Sequence, residues 1–364
     1  MVLLQLTAGI LILIIGAELV VRGAVRLAVM ARISPLVIGL TVVAFGTSAP
    51  ELAVSIGAAV SNQPGISLGN VIGSNIFNVL FILGISAMIV PLVVSAQLIR
   101  FDVPVMIATS VVALVLGLDG NYDYIDGAVL VAALVAYTLV LILMFRGRDT
   151  TPPGHEEPAI SEQSEPEISE PGLWTQIALV GLGLGMLVIG SRVLVTGAVS
   201  IARIVGVSEV IIGLTIVAAG TSLPEVITSI VATLRGERDM AVGNVVGSNI
   251  FNILGVLGMT ALLSPQALPV SGSILTFDLP IMIAVALACL PVFFTGGMIS
   301  RSEGAIFFVY YVIYTVYLVL AAAEHDALNI LGKTVLYFVI PITLLTLGVL
   351  TAAAIRRQRD GGPA

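Results

Sequence analysis

The chain consists of a series of long apolar runs, most of them 18 or more residues long with few charged positions inside them. Gly, Pro and charged residues separate the runs, which are centred near residues 15, 47, 80, 108, 134, 187, 220, 252, 284, 312 and 344. An apolar helix of about 20 residues is long enough to cross the hydrocarbon core of a bilayer. The pattern therefore predicts an all-α polytopic membrane protein with about 11 transmembrane helices.

Composition supports this prediction. Of the 364 residues, 58% are apolar and 10% are charged, whereas an ordinary soluble domain has about 45–50% and about 25%. The alternating polarity of a membrane β-barrel does not occur, and neither does a basic patch interleaved with aromatic residues that would indicate nucleic-acid binding. The single cysteine, Cys289, lies inside an apolar run, so we expect a packed side chain without a redox role.

The distribution of charge predicts the orientation in the membrane. Residues 146–172 are rich in Pro, Glu and Ser and hold seven of the acidic residues, so we expect a disordered connector there. When alternate connections are assigned to opposite sides, 12 of the 15 basic residues fall on one side. Cytoplasmic loops carry the excess of Lys and Arg. This places the N-terminus outside, and the acidic connector and the C-terminus inside.

An internal repeat organises the chain. Residues 39–84 match residues 213–258 at a constant offset of 174 positions, with 25 of 46 positions identical. The similarity extends over most of five helices on each side. Five is an odd number, so the second copy enters the membrane from the opposite side, as in the inverted-topology repeats of secondary transporters. We expect a first repeat in 1–145, the connector in 146–172, a second repeat in 173–323, and an eleventh helix with a basic tail in 324–364.

Each repeat carries the same polar face on its second helix. The residues recur at spacings of three and four, which place them on one side of a helix: Thr47, Ser48, Glu51 and Ser55 in the first copy, and Thr221, Ser222, Glu225 and Ser229 in the second. Pro50 and Pro224 remove a backbone donor, which predicts a kink or break and a freed carbonyl oxygen near each glutamate. Such carbonyls are oxygen ligands where irregular backbone lines a cavity.

The next helix of each repeat adds amides and hydroxyls through the segments GNVIGSNIFN and GNVVGSNIFN. Ser74 with Asn78, and Ser248 with Asn252, are four residues apart and share a face. The paired glycines of these segments, Gly69 with Gly73 and Gly243 with Gly247, have the spacing of close helix packing.

A cation is the natural partner of this polar set. A buried glutamate in a membrane costs about 2.5 kcal/mol or more, and this chain places two at equivalent positions. No Lys or Arg occurs in residues 33–99, 204–234 or 239–300 to neutralise them. Oxygen-only ligands select hard ions such as Ca²⁺ and Na⁺ over zinc or copper.

The duplicated pair GTSAPE…GNVIGSNIFN and GTSLPE…GNVVGSNIFN resembles the two α-repeats of the sodium/calcium exchanger family, prokaryotic type, within the calcium/cation antiporter superfamily. The resemblance implies a non-enzymatic transporter without a cofactor, a monomer in the plasma membrane. It would exchange Ca²⁺ for Na⁺ by alternating access, with helices one and six sliding against a rigid core.

The resemblance also implies roles for individual residues. Ca²⁺ would be held by Glu51 and Glu225 with the carbonyls of Thr47 and Thr221, and Asn78 would line the middle of the site. The Na⁺ positions would use the same glutamates, two carbonyls and six hydroxyls, which belong to Ala44, Ala218, Thr47, Ser48, Ser74, Thr221, Ser222 and Ser248.

The chain departs from the family pattern at Asn252, where several relatives carry an aspartate, so the expected site has two acidic side chains. This favours potassium-independent exchange. Two further functions stay open. A proton/calcium antiporter would use the same glutamates, although a proton needs no cage of hydroxyls. An intramembrane hydrolase could use opposed carboxylates as general acid and base.

Overall fold

The structure is a computed structural model that describes residues 2–145, 172–206, 212, 216, 218–294, 297–323 and 328. The predictions of an acidic connector in 146–172 and of an eleventh helix centred near residue 344 therefore lie outside the described residues, apart from Gly172.

The first half forms eight helices and two short strands. They are α1 (Val2–Ala31), α2 (Pro35–Ile38), α3 (Ala44–Thr47), α4 (Ala49–Val60), α5 (Pro64–Phe77), α6 (Gly84–Ile89), β1 (Leu92–Val93), α7 (Val103–Leu116), β2 (Asn121–Tyr122) and α8 (Tyr124–Phe145). Two π-helical segments, Gly39–Val43 and Asn78–Leu83, continue one helix directly into the next, and a third, Leu98–Asp102, leads into α7. A 3₁₀ turn follows α7 at Gly117–Asp119.

The described residues of the second half form seven helices and two strands. They are α9 (Leu173–Val205), α10 (Ala218–Thr221), α11 (Leu223–Leu234), α12 (Arg238–Phe251), α13 (Gly258–Leu263), β3 (Leu268–Pro269), α14 (Leu279–Phe294), β4 (Met298–Ile299) and α15 (Arg301–Ala322). Two π-helical segments, Asn252–Leu257 and Ile274–Asp278, stand at the repeat positions of Asn78–Leu83 and Leu98–Asp102.

Local chemistry explains where several helices begin and end. Pro35 opens α2, and the Ser34 hydroxyl accepts a hydrogen bond from the Val37 amide. A capping box formed by Ser300 and Glu303 starts α15. Gly206 ends α9 with φ of 87°, a left-handed conformation that favours glycine.

Among the described residues, eight helical segments are long and apolar enough to cross a membrane, or nine if the bent pair Pro35–Thr47 and Ala49–Val60 forms one span. Leu223–Leu234, near the seventh predicted span, is a shorter apolar helix. The predicted all-helical membrane architecture is therefore confirmed, whereas the number of 11 spans and the placement of the termini stay predictions.

The two longest helices, α1 and α9, pack closely along their length. A Cβ atom added to Gly183 of α9 would lie 2.6 Å from the Gly16 carbonyl of α1, and one added to Gly9 of α1 would lie 2.8 Å from Leu194. Glycine thus lets the two backbones approach to contact distance. Buried apolar side chains of α1 and α9 form a second cluster together with residues of α2, α11 and α12, beside the larger core formed mainly by the other helices.

Two short antiparallel ladders, absent from the all-α prediction, join the halves of the chain. Strand β1 pairs with β4 through Leu92 and Ile299, and β2 pairs with β3 through Tyr122 and Leu268. Each ladder contains one strand from each half, so the halves are joined at two places outside their helices.

Close packing of the paired glycines is confirmed in the second half. A Cβ atom on Gly247 would lie 2.6 Å from the Leu40 carbonyl, and one on Gly243 would lie 3.0 Å from the Leu36 carbonyl. The repeat counterparts of residues 36–44 are residues 210–218, most of which are not described. The equivalent packing of Gly69 and Gly73 stays a prediction.

Candidate functional site

Two helix breaks bring the predicted polar residues to the centre of the molecule. The bend between Pro35–Thr47 and Ala49–Val60 is 42° and occurs at Ser48. The second half is interrupted at Ser222, between α10 and α11, with nearly the same backbone angles. Pro50 and Pro224 each follow two residues after the break, so the predicted interruption of both helices is confirmed.

The carbonyl oxygens near the breaks have different partners. The Gly220 carbonyl, which Pro224 deprives of its helical donor, accepts a hydrogen bond from the Ser191 hydroxyl of α9. A side chain of α9 thus takes the place of the missing donor, and a ligand role for the Gly220 carbonyl stays a prediction. The Ala44 carbonyl accepts from the Ser48 amide at 3.1 Å.

The two glutamates are buried, and each bonds to a serine of the other half. The Ser48 hydroxyl donates to Glu225 Oε1 at 2.8 Å, and the Ser222 hydroxyl donates to Glu51 Oε1 at 2.8 Å. Both glutamates are 1% exposed. Ser222 Oγ also lies 3.2 Å from Ser74 Oγ. These contacts join α4, α5, α11 and the two helix breaks at one place.

Several oxygen atoms at this place are buried and lack a hydrogen-bond partner in the described part of the chain. They are Glu51 Oε2, Glu225 Oε2, Asn78 Oδ1, Asn252 Oδ1 and Ser248 Oγ. A buried polar atom without a partner costs free energy, and a carboxylate costs more than a neutral group. Oxygen atoms of these types are the ligands of Ca²⁺ in proteins, so the donor set fits a hard cation.

Four asparagines form a second layer between the halves. The Asn78 amide donates to Asn249 Oδ1 at 3.0 Å, and the Asn252 amide donates to Asn75 Oδ1 at 3.2 Å. All four side chains are at most 3% exposed. The amide nitrogens of Asn78 and Asn252 are used in this way, whereas their oxygen atoms have no partner among the residues that the structure describes.

Asn70 and Asn244 belong to the same network, although the sequence analysis did not select them. Asn70 donates to the Glu51 carbonyl at 3.0 Å, and its own oxygen accepts from the Thr221 hydroxyl at 3.4 Å. Asn244 accepts in the same way from Thr47 at 3.3 Å. Both residues recur in the duplicated GNV segments, and this recurrence was the available signal.

The structure brings the predicted side chains together on four helical segments: Thr47, Ser48 and Glu51 beside the first break, Thr221, Ser222 and Glu225 beside the second, Ser74 and Asn78 at the end of α5, and Ser248 and Asn252 at the end of α12. Ala44 begins α3, and Ala218 begins α10. Assigning ion ligands among them belongs to the proposal below.

The chain matches the family described as sodium/calcium exchanger protein over residues 1–143 and 175–320. The chain belongs to this family. The membership confirms the resemblance read from the duplicated motifs, and with the apolar helices it makes the protein an integral membrane protein.

Relatives and solved structures agree with this membership. The chain is 38% identical to the putative antiporter CaxA of Alkalimonas amylolytica, over 82% of this chain and 92% of that protein. It is 32% identical to the sodium/calcium exchanger MaX1 of Methanosarcina acetivorans, over 86% and 97%. A structure of the sodium-calcium exchanger NCX_Mj superposes with a TM-score of 0.73 and 31% identity, over 87% of this chain and all of that chain.

Proposed function

We propose that the protein exchanges Ca²⁺ for Na⁺ across the membrane at a site centred on Glu51 and Glu225. The observation that carries the proposal is the pair of buried carboxylates, which lie among oxygen atoms that have no hydrogen-bond partner within the described residues. A cation that leaves such a site exposes two buried charges, so the site is unfavourable when empty. Family membership and the named exchangers among the relatives support the same function.

Charge balance explains how two ions exchange at one site. Two ionised glutamates carry a charge of −2, which one Ca²⁺ or two Na⁺ neutralise, and a third Na⁺ leaves a net charge of +1. Ca²⁺ and Na⁺ need the same carboxylates, so the binding of one excludes the binding of the other. An empty site with two charges crosses the low-dielectric interior at a higher cost than a loaded one. Exchange is then obligatory because the empty carrier changes conformation rarely.

The resemblance to the family suggests the ligands, and the burial of these side chains supports the assignment. Ca²⁺ lies between Glu51 and Glu225 and takes backbone oxygens from Thr47 and Thr221. Na⁺ ions occupy adjacent positions, with the carbonyls of Ala44 and Ala218 and the nearby hydroxyls as ligands. Ser248 Oγ and the amide oxygens of Asn78 and Asn252 are buried and lack a partner in the ranges that the structure describes, which supports their inclusion.

Alternating access requires that the one site opens to the two sides of the membrane in turn, and inverted repeats provide two equivalent conformations for this. We infer that the halves are inverted repeats with the N-terminus outside and the C-terminus inside, in a prokaryotic plasma membrane. The shared element order, the matching π-helical segments and the ladders that pair strands across the halves support this arrangement. We also infer that α1 and α9 slide as a unit against the other helices, consistent with the close approach of their two backbones at Gly9 and Gly183.

A proton-coupled calcium antiporter is the second candidate, because protonation of the two glutamates would also neutralise the empty site. The hydroxyls of Ser48 and Ser222 on the carboxylates favour Na⁺, which needs several oxygen ligands.

Transport into proteoliposomes distinguishes Na⁺ coupling from proton coupling. We expect ⁴⁵Ca²⁺ uptake into vesicles loaded with Na⁺ and diluted into choline medium. Uptake driven by a pH gradient alone, with no effect of Na⁺, would overturn Na⁺ coupling.

A further inference from the structure

Two buried methionines contact the asparagine layer of the site. The Asn75 amide nitrogen lies 3.4 Å from Met282 Sδ, and the Asn249 amide nitrogen lies 3.5 Å from Met106 Sδ. The methionines are at most 2% exposed. They occupy equivalent places in the two repeats, within RFDVPVM and TFDLPIM. The same sulfur-to-amide contact is therefore built twice, from α7 to α12 and from α14 to α5.

A thioether sulfur has no hydrogen, so it can only accept a hydrogen bond. The NH₂ end of each contacted amide therefore faces the sulfur, and the oxygen end faces the other way. For Asn75 the oxygen then receives the amide of Asn252 at 3.2 Å. For Asn249 it receives the amide of Asn78 at 3.0 Å. The sulfur thus fixes the orientation of two amides in succession.

We propose that Met282 and Met106 are positioning residues that make the site present amide oxygen, and not NH₂, to the transported cation. This inference rests on the proposed function. The free oxygens of Asn252 and Asn78 are the ends of the two chains of contacts. If the side-chain amides of both asparagines in one of these chains of contacts were flipped, an amide oxygen would face the methionine sulfur. Both of those atoms are acceptors, so no hydrogen bond would form there. An NH₂ group would then face the cation and replace one ligand with a positive partial charge.

The two chains of contacts do not fix the orientation of their amides equally well. Asn249 also donates to the Asn75 carbonyl at 3.3 Å, so a second acceptor holds its orientation. In the part of the chain that the structure describes, the recorded acceptor of the Asn75 amide is Met282 Sδ. The orientation of the Asn75 amide therefore depends more on Met282 than the orientation of the Asn249 amide depends on Met106.

Equilibrium binding of ⁴⁵Ca²⁺ to the purified full-length protein tests this inference. Leucine keeps the volume of methionine and removes the acceptor, and such exchanges are well tolerated. Residues that orient metal ligands typically cost about 10–100-fold in affinity when they are changed. We expect Met282→Leu to weaken Ca²⁺ binding about tenfold and Met106→Leu to weaken it less. Met282→Gln supplies an acceptor but also an NH₂ group that can pair with the reversed Asn75 amide, so its Ca²⁺ affinity should fall between that of Met282→Leu and that of the unchanged protein.

Met240→Leu is the matched control, because Met240 is equally buried but lies in the cluster beside α1. Its Ca²⁺ affinity should not change. Equal affinity in Met282→Leu and Met240→Leu would overturn the positioning role. Loss of binding in both Met282→Leu and Met282→Gln, with a lowered Tm in each, would assign Met282 to packing and also overturn it. An unchanged protein that binds no Ca²⁺ would instead overturn the proposed function itself.

Discussion

The proposed transport site depends most on the buried carboxylates of Glu51 and Glu225. Glutamine keeps the shape of the side chain and an oxygen that accepts from Ser222 or Ser48, but it removes one charge. The remaining charge cannot balance Ca²⁺, and loss of one member of a buried charge pair costs about 2–5 kcal/mol. We expect Glu51→Gln and Glu225→Gln each to reduce ⁴⁵Ca²⁺ uptake at least about 30-fold, with an unchanged Tm.

Glu303→Gln serves as the control for this prediction, because Glu303 caps the start of α15 and lies outside the site. It should transport at the normal rate. Retained transport in both site variants would contradict the assignment of the cation site.

For individual residues, duplication in the sequence was enough to predict that the glutamates and the serines beside them belong to the site. It also predicted the pairs Ser74 with Asn78 and Ser248 with Asn252. It did not select Met106 and Met282. Their role depends on contacts with asparagines 143 and 207 positions away, and an apolar side chain in an apolar helix gives no sign of such a contact. Such residues, which contact the proposed ligands and not the ion, could therefore be identified only from the structure.

Among the elements, the closely packed pair α1 and α9 offers a direct test. A Cβ on Gly183 would lie 2.6 Å from the Gly16 carbonyl, whereas a Cβ on Gly185 of the same helix meets no atom within 4 Å. Overpacking typically costs about 1–3 kcal/mol, and alanine favours a helix over glycine by about 1 kcal/mol. We expect Gly183→Ala to lower the Tm in detergent and Gly185→Ala to leave it equal or higher. The same loss of stability in both variants would contradict the packing of these helices.

Hydrophobic periodicity and the positions of proline predicted some of the elements and missed others. Apolar runs predicted the long helices, and Pro50 and Pro224 predicted the breaks beside the glutamates. The strand pairs were missed because Leu92 and Tyr122 pair with residues from the other half, at Ile299 and Leu268. Two-residue strands have no pattern of their own, so only the approach of the two halves creates them.

At the scale of the molecule, an ion-pair cluster in the described part of the chain connects α1 to the end of α11. Glu18 of α1 bonds to Arg22 of the same helix and to Arg235 at the end of α11. If α1 slides during transport, the contact with Arg235 must break and form again. Exposed ion pairs contribute about 0–1 kcal/mol, so the bridge can slow the departure from this conformation without dominating stability.

Removal of this bridge should therefore accelerate exchange. We expect Glu18→Gln to raise the initial rate of Na⁺-driven ⁴⁵Ca²⁺ uptake about two- to fivefold, because the barrier falls by about 0.5–1 kcal/mol. Added salt should narrow the difference, since screening weakens the bridge in the unchanged protein. An unchanged rate in Glu18→Gln at low salt would show that this contact does not break during transport.

The central claim is that Ca²⁺ and Na⁺ compete for one buried site with two carboxylates. Equilibrium binding of ⁴⁵Ca²⁺ to the purified protein, with Na⁺ added in steps at constant ionic strength, tests it most directly. We predict that Na⁺ displaces Ca²⁺ completely and with a Hill coefficient above about 1, because more than one Na⁺ must replace each Ca²⁺ to balance the charge. Ca²⁺ binding that does not change as Na⁺ rises would contradict a shared site.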